Sequence, residues 1–189
     1  MNHRYLQKFQ IKDVVFLAIM SAVALATCAV MPLVISLQPL IFGISQLVTA
    51  LQIGVFFAIG PYKVRKPGSL LIMALMMGLI QLMMSPPMFL SSVLNGILIE
   101  LIVLLLFRGY ERDAAVFCAA MLHTPLSLPF NYLYNRLVKG ADSPLAAVAD
   151  RAPLAAVGMT LAVVAVSALG ALIGIKIARE LKKTGVLKK

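Results

Sequence analysis

Long apolar stretches follow one another along most of this chain, and only short basic or turn-forming segments separate them. A helix that rises about 1.5 Å per residue needs about 20 apolar residues to cross a hydrocarbon core of about 30 Å. Six stretches come close to this length: 14–37, 39–60, 69–84, 88–107, 114–134 and 153–177. The pattern predicts an all-α integral membrane protein, a single membrane domain over residues 1–189 built as a bundle of six transmembrane helices.

The composition excludes a water-soluble domain. Hydrophobic residues make up 61% of the 189 residues and charged residues 13%, whereas a soluble domain is about half apolar and about a quarter charged. The net charge of +10 would indicate nucleic-acid binding in a soluble protein, but these charges lie in short runs between apolar stretches, as topology signals do. We therefore expect a multi-pass protein of a bacterial or archaeal cell membrane, with no nucleic-acid partner.

The distribution of lysine and arginine predicts the orientation. Fourteen of the 17 lie at the two termini or after the second and fourth predicted spans, and short cytoplasmic connections are the ones enriched in these residues. Both termini are therefore predicted to be cytoplasmic. The longest external connection, 135–152, contains Pro144 after Ser143, a pattern that predicts the start of a short surface helix.

Two prolines, Pro125 and Pro129, distinguish the fifth predicted span. Each removes a backbone donor, and the carbonyl groups that are freed in a membrane are tolerated only against protein or a wet cavity. The outer half of this span is therefore expected to line a cavity. His123, Asn131 and Tyr132 lie beside the prolines and are candidate substrate-binding residues. The alternatives are a hydrogen-bonded structural histidine and an interfacial aromatic belt.

Glu100 is the only carboxylate well inside a predicted span, and a charge at that depth costs at least about 2.5 kcal/mol, which makes it a functional candidate. Ser91, Ser92 and Asn95 are shallower on the same helix, and Ser91 and Asn95 share one face. We predict a polar track that descends from the outside and binds substrate. The alternative is that Glu100 is a neutral acid bonded to a neighbouring helix. Three glutamines are weaker candidates, because neutral amides often join membrane helices: Gln46, Gln52 and Gln81.

Small residues recur at intervals of four on the first and last spans. Ala18, Ala22 and Ala26 form a stripe on the first span, and Gly170 and Gly174 form a Gly-x-x-x-Gly pair on the last. Small side chains let the backbones of membrane helices approach each other closely. Such spacing fits either packing within this chain or docking to a partner subunit.

The common motifs of nucleotide binding and hydrolysis are missing from this sequence. It contains no G-x-x-x-x-G-K-[ST], H-E-x-x-H or G-x-S-x-G motif. Its two histidines, His3 and His123, are far apart, and Cys28 and Cys118 fall within predicted spans, so neither a metal site nor a disulfide framework is indicated. We expect no enzyme activity, no metal and no cofactor in this chain.

Three segments resemble the substrate-binding S-components of energy-coupling factor (ECF) vitamin transporters. The first is the Ala18-x-x-x-Ala22 stripe after a short basic N-terminus. The second is the turn Val64-Arg65-Lys66-Pro67-Gly68, which looks like the turn of the thiamine-precursor S-components of the YkoE type. The third is Asn95-Gly96-x-x-x-Glu100, which is similar to a glutamine-glycine-x-x-x-glutamate stretch in that group. The resemblance covers about residues 12 to 112.

The resemblance implies a partner and a pocket. In that family the alanine stripe contacts a membrane-embedded coupling subunit, which would give this role to Ala18, Ala22 and Ala26, and two partner ATPases use the ATP. The family's pocket opens outward and draws on the fourth to sixth helices, which would include Asn95 and Glu100. The sequence departs from the thiamine binders because it has no tryptophan and has Gln81 where another acidic residue is expected, so the expected ligand is either a thiamine-precursor-like compound or another amine or heterocyclic compound.

The sequence therefore favours a subunit that captures a vitamin or related small metabolite for an ECF-type ABC importer. An intramembrane enzyme that uses Glu100 and His123 on a lipid is a second hypothesis, against which the missing catalytic pairings argue. A ligand-free accessory subunit is a third, and it predicts that the polar residues in the spans merely bridge helices.

Overall fold

Helices make up most of the described chain. The computed structural model describes residues 8–30, 33–34, 36–140 and 143–185. Within them there are seven helices of eight residues or more and no strand. In chain order these are α1 (Ile11–Thr27), α2 (Ile44–Val64), α3 (Ser69–Leu82), α4 (Pro86–Phe107), α5 (Asp113–Val138), α6 (Pro144–Arg151) and α7 (Pro153–Lys183). The predicted all-α class is confirmed, and a short helix α6 does follow Ser143.

Three of these helices, α2, α4 and α7, are long and apolar enough to cross a membrane. Helix α3 is apolar but has only 14 residues, as its short predicted span indicates. Helix α5 has 26 residues, and two internal prolines interrupt its sequence. That the chain crosses the membrane six times stays a prediction.

The first helix is shorter than its predicted span, which ran from residue 14 to residue 37. It ends at Thr27, where the backbone N–H groups of Cys28 and Ala29 bond to carbonyls three residues earlier, at 3.0 and 3.2 Å. These are tight turns, which often close a helix end. Apolar composition continues past Thr27, which is why hydropathy alone extended the span too far.

The second helix begins later than its predicted start at residue 39. Gly43 precedes it in a left-handed conformation, with a φ of 75°, that interrupts any helix arriving from the N-terminal side. A Cβ atom at Gly43 would also lie 2.9 Å from Leu128 Cδ2. Helix α2 therefore starts at Ile44, and the segment 36–43 before it is free to turn across one end of the bundle.

Helices α2 and α7 pack closely through glycine. A Cβ atom at Gly170 would lie 2.4 Å from the Leu51 carbonyl oxygen, and one at Gly174 would lie 2.4 Å from that of Val55. Nearby, the Ser167 hydroxyl donates to the Met121 carbonyl at 2.8 Å, which ties α7 to α5. Of the two roles that the spacing allowed for the glycine pair, packing within the chain is the one observed.

Ion pairs join the helix ends at the end of the bundle where the turns 65–68 and 108–112 lie, which we call the basic end. The Asp113 carboxylate accepts hydrogen bonds from Arg65 and, at 2.6 Å, from Arg179, so one residue holds together the ends of α2, α5 and α7. Lys66 pairs with Asp13 at 2.6 Å and connects α1 to the turn before α3. The opposite end has a longer connection and an open cavity.

Large apolar side chains fill the half of the bundle nearest the basic end. Those that are fully buried include Leu17, Phe57, Leu70, Val103, Tyr110 and Val116. Phe57 lies at the boundary of this core that is farthest from the basic end. Its ring packs against the imidazole of His123, with the ring centroids 4.3 Å apart. Beyond Phe57 the interior becomes polar, and the cavity begins.

Candidate functional site: a polar cavity opposite the basic end

A cavity of about 400 Å³ lies among α2, α3, α4 and α5 and reaches the first turn of α6. This volume is within the range of roughly 300–1,000 Å³ that is typical of small-molecule sites. Most of the residues that line the cavity have an uncharged polar side chain, and apolar atoms fill the surface between the polar groups. The polar residues are Gln38, Ser45, Gln46, Thr49, Gln81, Ser85, Ser91, Ser92, Asn95, Thr124, Ser127, Asn131, Tyr134, Asn135 and Ser143, together with His123.

The innermost polar groups belong to His123 and Thr124 on α5, in the turn before Pro125 and Pro129. The two side chains are 5% and 3% exposed. Neither ring nitrogen of His123 nor the hydroxyl of Thr124 has a hydrogen-bond partner among the described residues. Buried polar groups are nearly always paired, and leaving one unpaired costs about 1–3 kcal/mol. Both residues line the cavity, but the unpaired atoms themselves have almost no accessible surface, so they become available to a ligand when the two side chains rotate.

The polar residues predicted on α4 also line the cavity. Ser91, Ser92 and Asn95 are all buried and lie on its wall. The Ser92 hydroxyl donates to the Ala74 carbonyl at 2.8 Å, so Ser92 joins α4 to α3 in addition to lining the cavity. Gln81 of α3 completes this side.

Helix α2 contributes a polar face that sequence reasoning missed. Ser45 and Thr49 are four residues apart, as Ser91 and Asn95 are on α4, and both line the cavity. The Ser45 hydroxyl donates to Gln46 Oε1 at 2.9 Å and accepts a hydrogen bond from the Gln38 amide. The same four-residue spacing of small polar residues was the available signal, because the predicted span 39–60 already contained both positions.

The outer part of the cavity is formed by the end of α5 and the segment that follows. Asn135 donates to the Asn131 carbonyl at 2.8 Å and accepts from the Ser143 hydroxyl at 3.1 Å. The bond from Ser143 holds the start of α6 over the end of α5. Lys139 also lines this part of the cavity, and its side chain is exposed.

Glu100 does not line the cavity, contrary to the sequence prediction. Its carboxylate accepts hydrogen bonds from the backbone N–H of Gly68 and, at 2.9 Å, from the Tyr110 hydroxyl. Five helical residues separate it from Asn95, which places it about 7.5 Å farther along α4 and turned by about 140°. The side chain is therefore directed at the basic end, as in the alternative of a carboxyl group bonded within the protein.

Tyr132 is also outside the cavity wall, and Tyr134 is the tyrosine that lines it. The Tyr132 hydroxyl donates to Asp150 at 2.7 Å and contacts Arg136, so the ring connects α5 to α6. Its neighbour Asn131 does line the cavity. Adjacent residues of a helix point in directions about 100° apart. Closeness in sequence therefore could not show that Asn131 lines the cavity and Tyr132 does not.

The alanine stripe of α1 faces partly outward. Ala22 and Ala26 are exposed and Ala18 is half-buried, whereas Ala24 between them is fully buried. Among the described residues, Ala22 and Ala26 therefore have no role in packing within this chain.

The structure shows no metal site in residues 8–30, 33–34, 36–140 and 143–185. Within these ranges, no group of three or more His, Cys, Asp or Glu side chains comes together to hold a metal ion.

The model of a family described as "Hypothetical bacterial integral membrane protein (Trep_Strep)" matches residues 11–183. Comparison with curated proteins gives no match. A solved structure described as the crystal structure of an S-component of ECF transporter is similar to this chain, with a TM-score of 0.65 and 23% sequence identity. The similarity covers 95% of this chain and 89% of that one.

These findings concern the membrane location and the fold. The expectation of a membrane protein is confirmed by the family, and the expected likeness to S-components is confirmed for the fold over nearly the whole chain. The narrower likeness to the YkoE-type group stays a prediction, as do the roles of the individual cavity residues.

Proposed function

This chain belongs to the Trep_Strep family of bacterial integral membrane proteins, and from this premise we propose that it captures a small metabolite for an ECF importer. The metabolite is a vitamin or a related compound that binds in the cavity opposite the basic end. Delivery across the membrane then needs a coupling subunit and two ATPases, because this sequence has no P-loop of its own.

The unpaired cluster of His123 and Thr124 is the observation that carries the proposal. Two side chains that are buried, polar and without partners among the described residues lie on a cavity of ligand size. Their desolvation is offset when a ligand supplies the missing hydrogen bonds. The S-component fold supplies the second argument, since the solved structure that shares it is that of an S-component of an ECF transporter.

The two rival functions fit these contacts less well. An accessory subunit without a ligand would use its buried polar groups for hydrogen bonds between helices, as Ser92 and Ser167 do, but the side-chain nitrogens of His123 and the hydroxyl of Thr124 make no such bond among the described residues. An enzyme that pairs Glu100 with His123 would need both at one site. Glu100 is bound to Gly68 and Tyr110 outside the cavity that His123 lines.

The basic end is the cytoplasmic end in this proposal, and the cavity faces the outside. Lysine and arginine favour the cytoplasmic side of short connections, and the ion-paired turn at Arg65 and Lys66 lies at that end. Single cysteines at positions 66 and 139, in a background without Cys28 and Cys118, test this orientation. An impermeant thiol reagent added outside should label position 139 and spare position 66, and the reverse pattern overturns the orientation.

The exposed face of α1 is the proposed contact with the coupling subunit. Ala22 and Ala26 leave a shallow surface there, and small residues allow a partner helix to approach closely. Ala18 extends this surface, although it is half-buried.

The assembly is tested by purifying the tagged chain from the membranes of a bacterium that expresses it together with an ECF coupling subunit and two ATPases. We expect all three partners in the eluate, and ATP-dependent uptake of the captured compound by reconstituted vesicles. A chain that binds a compound but never recruits these subunits is a binding protein of another system. One that recruits them without binding any compound is an accessory subunit.

A further inference from the structure

The cavity wall restricts the charge of the ligand, an argument that rests on the proposed function. Among the described residues that line it there is no aspartate, glutamate or arginine, and Lys139 is the one lysine. Glu100, the carboxylate within α4, is engaged by Gly68 and Tyr110 elsewhere. A cation buried away from water needs a countercharge, and neutral amides and hydroxyls do not supply one.

The inner part of the cavity offers both donors and acceptors. Thr124 provides a hydroxyl that can donate and accept, and Asn95 provides an amide with an oxygen and an NH₂ group. Beside them Ile53 and Met77 line the cavity with apolar surface. Such a wall fits a compact uncharged group that carries donors and acceptors at its edge and apolar atoms on its faces.

The outer part of the cavity adds one positive charge. Lys139 stands near the end of α5, beside the Asn135–Ser143 hydrogen bond. Arg136 on the preceding turn is already paired with Asp150 at 2.9 Å, whereas no ion pair of Lys139 is found within the described part of the chain. Lys139 is therefore the group that can meet a negative charge on the ligand.

We infer that the cavity selects a small acid: an uncharged head with donors and acceptors binds at Asn95, His123 and Thr124, and a carboxylate or phosphate lies at the mouth beside Lys139. A permanently cationic compound such as thiamine would find no carboxylate for its charge among the lining residues that the structure describes. The cavity thus differs from a thiamine site in charge as well as in the absence of tryptophan from this chain.

The experiment offers the purified full-length protein the water-soluble fraction of a yeast extract to which thiamine has been added. After washing, the retained compounds are released by denaturation and identified by mass spectrometry. The control is the Ser127→Trp variant, in which an indole fills part of the cavity, so that only compounds lost from this variant count as ligands. Their affinities are then measured by calorimetry at low and high salt.

The expected ligand is an acid with an uncharged polar head. Lys139→Gln should weaken its binding roughly two- to fivefold at low salt and less at high salt, the scale of an exposed charge pair, and Arg136→Gln should leave binding unchanged. Retention of thiamine or another cation in the cavity overturns the inference but leaves the proposed function standing. An acid that binds Lys139→Gln as tightly as wild type has the same two consequences. Retention of nothing overturns the proposed function as well.

Discussion

The Tyr110 hydroxyl donates a 2.9 Å hydrogen bond to Oε2 of Glu100, while the backbone N–H of Gly68 donates to Oε1 of the same carboxylate. Both oxygens are therefore engaged by the protein. Through these two bonds one side chain of α4 holds the turn before α3 and the turn before α5. Glu100 thus closes the basic end of the bundle, and the cavity lies at the other end.

Glu100→Gln should lower stability and leave binding largely unchanged. The amide oxygen can keep the bond from Gly68, but the NH₂ group can only donate, so the Tyr110 hydroxyl must change from donor to acceptor, at a cost of up to about 1–3 kcal/mol in the free energy of unfolding. The readouts are the melting temperature in detergent and the calorimetric affinity for the retained compound. Tyr110→Phe, which removes one donor and keeps the Gly68 bond, should have a smaller effect. A tenfold loss of affinity at unchanged stability would return Glu100 to the binding site.

Thr124→Val should weaken ligand binding without destabilising the empty protein. The two side chains have nearly the same shape, and the hydroxyl that is lost has no partner among the described residues. Loss of a neutral hydrogen bond to the ligand corresponds to about 0.5–1.5 kcal/mol, or roughly two- to tenfold in affinity. The matched control is Thr160→Val on α7, whose hydroxyl donates to the Ala156 carbonyl outside the cavity. Equal affinity losses in the two variants would contradict a specific role for Thr124.

Ala22→Trp should impair assembly with the coupling subunit and leave the isolated chain folded and able to bind its ligand. Ala22 is exposed on α1, so the surface there has room for an indole, which would keep a partner helix at a distance. Ala165→Trp, at an exposed position on α7, is the control. Copurification of the partner subunits is the measurement, and normal recovery with Ala22→Trp would remove the stripe from the interface.

The ion-paired basic end should weaken in acid. Partial burial raises the pKa of Asp113, but hydrogen bonds and charges from Arg179 and Arg65 outweigh it and hold this pKa below its ordinary value. Asp113 lies outside the membrane-spanning segments, just before the predicted fifth span, 114–134. A carboxyl group with a lowered folded-state pKa contributes stability above its unfolded-state pKa, near 4, and that contribution is lost as the pH falls through the folded-state value. The melting temperature of wild type should therefore fall toward that of Asp113→Asn below about pH 4, and a constant difference would contradict this account.

Hydropathy and charge were enough to predict the helical class and the approximate position of most helices. Their weakness lies at apolar turns, because residues 28–30 have the composition of a span although the backbone there no longer forms a helix. Gly43 shows the same limit, since only its left-handed φ reveals that α2 cannot start earlier.

For the site, the sequence placed Asn95, Ser92, Gln81, His123 and Asn131 on elements that do meet around one cavity. It could not assign Glu100, because the direction of a side chain depends on a rotation of about 100° per residue and on which neighbours approach. The donors that hold Glu100 come from the turns at Gly68 and Tyr110. Such contacts between distant segments have no periodic signature in the sequence.

Native mass spectrometry of the gently purified protein tests the central claim most directly. We expect wild type to carry one small molecule per chain, and Ser127→Trp, folded but with its cavity partly filled, to carry none. A wild-type protein that retains no small molecule, even after exposure to the water-soluble extract, or a molecule retained equally by both proteins, would contradict the assignment of this cavity as a substrate site.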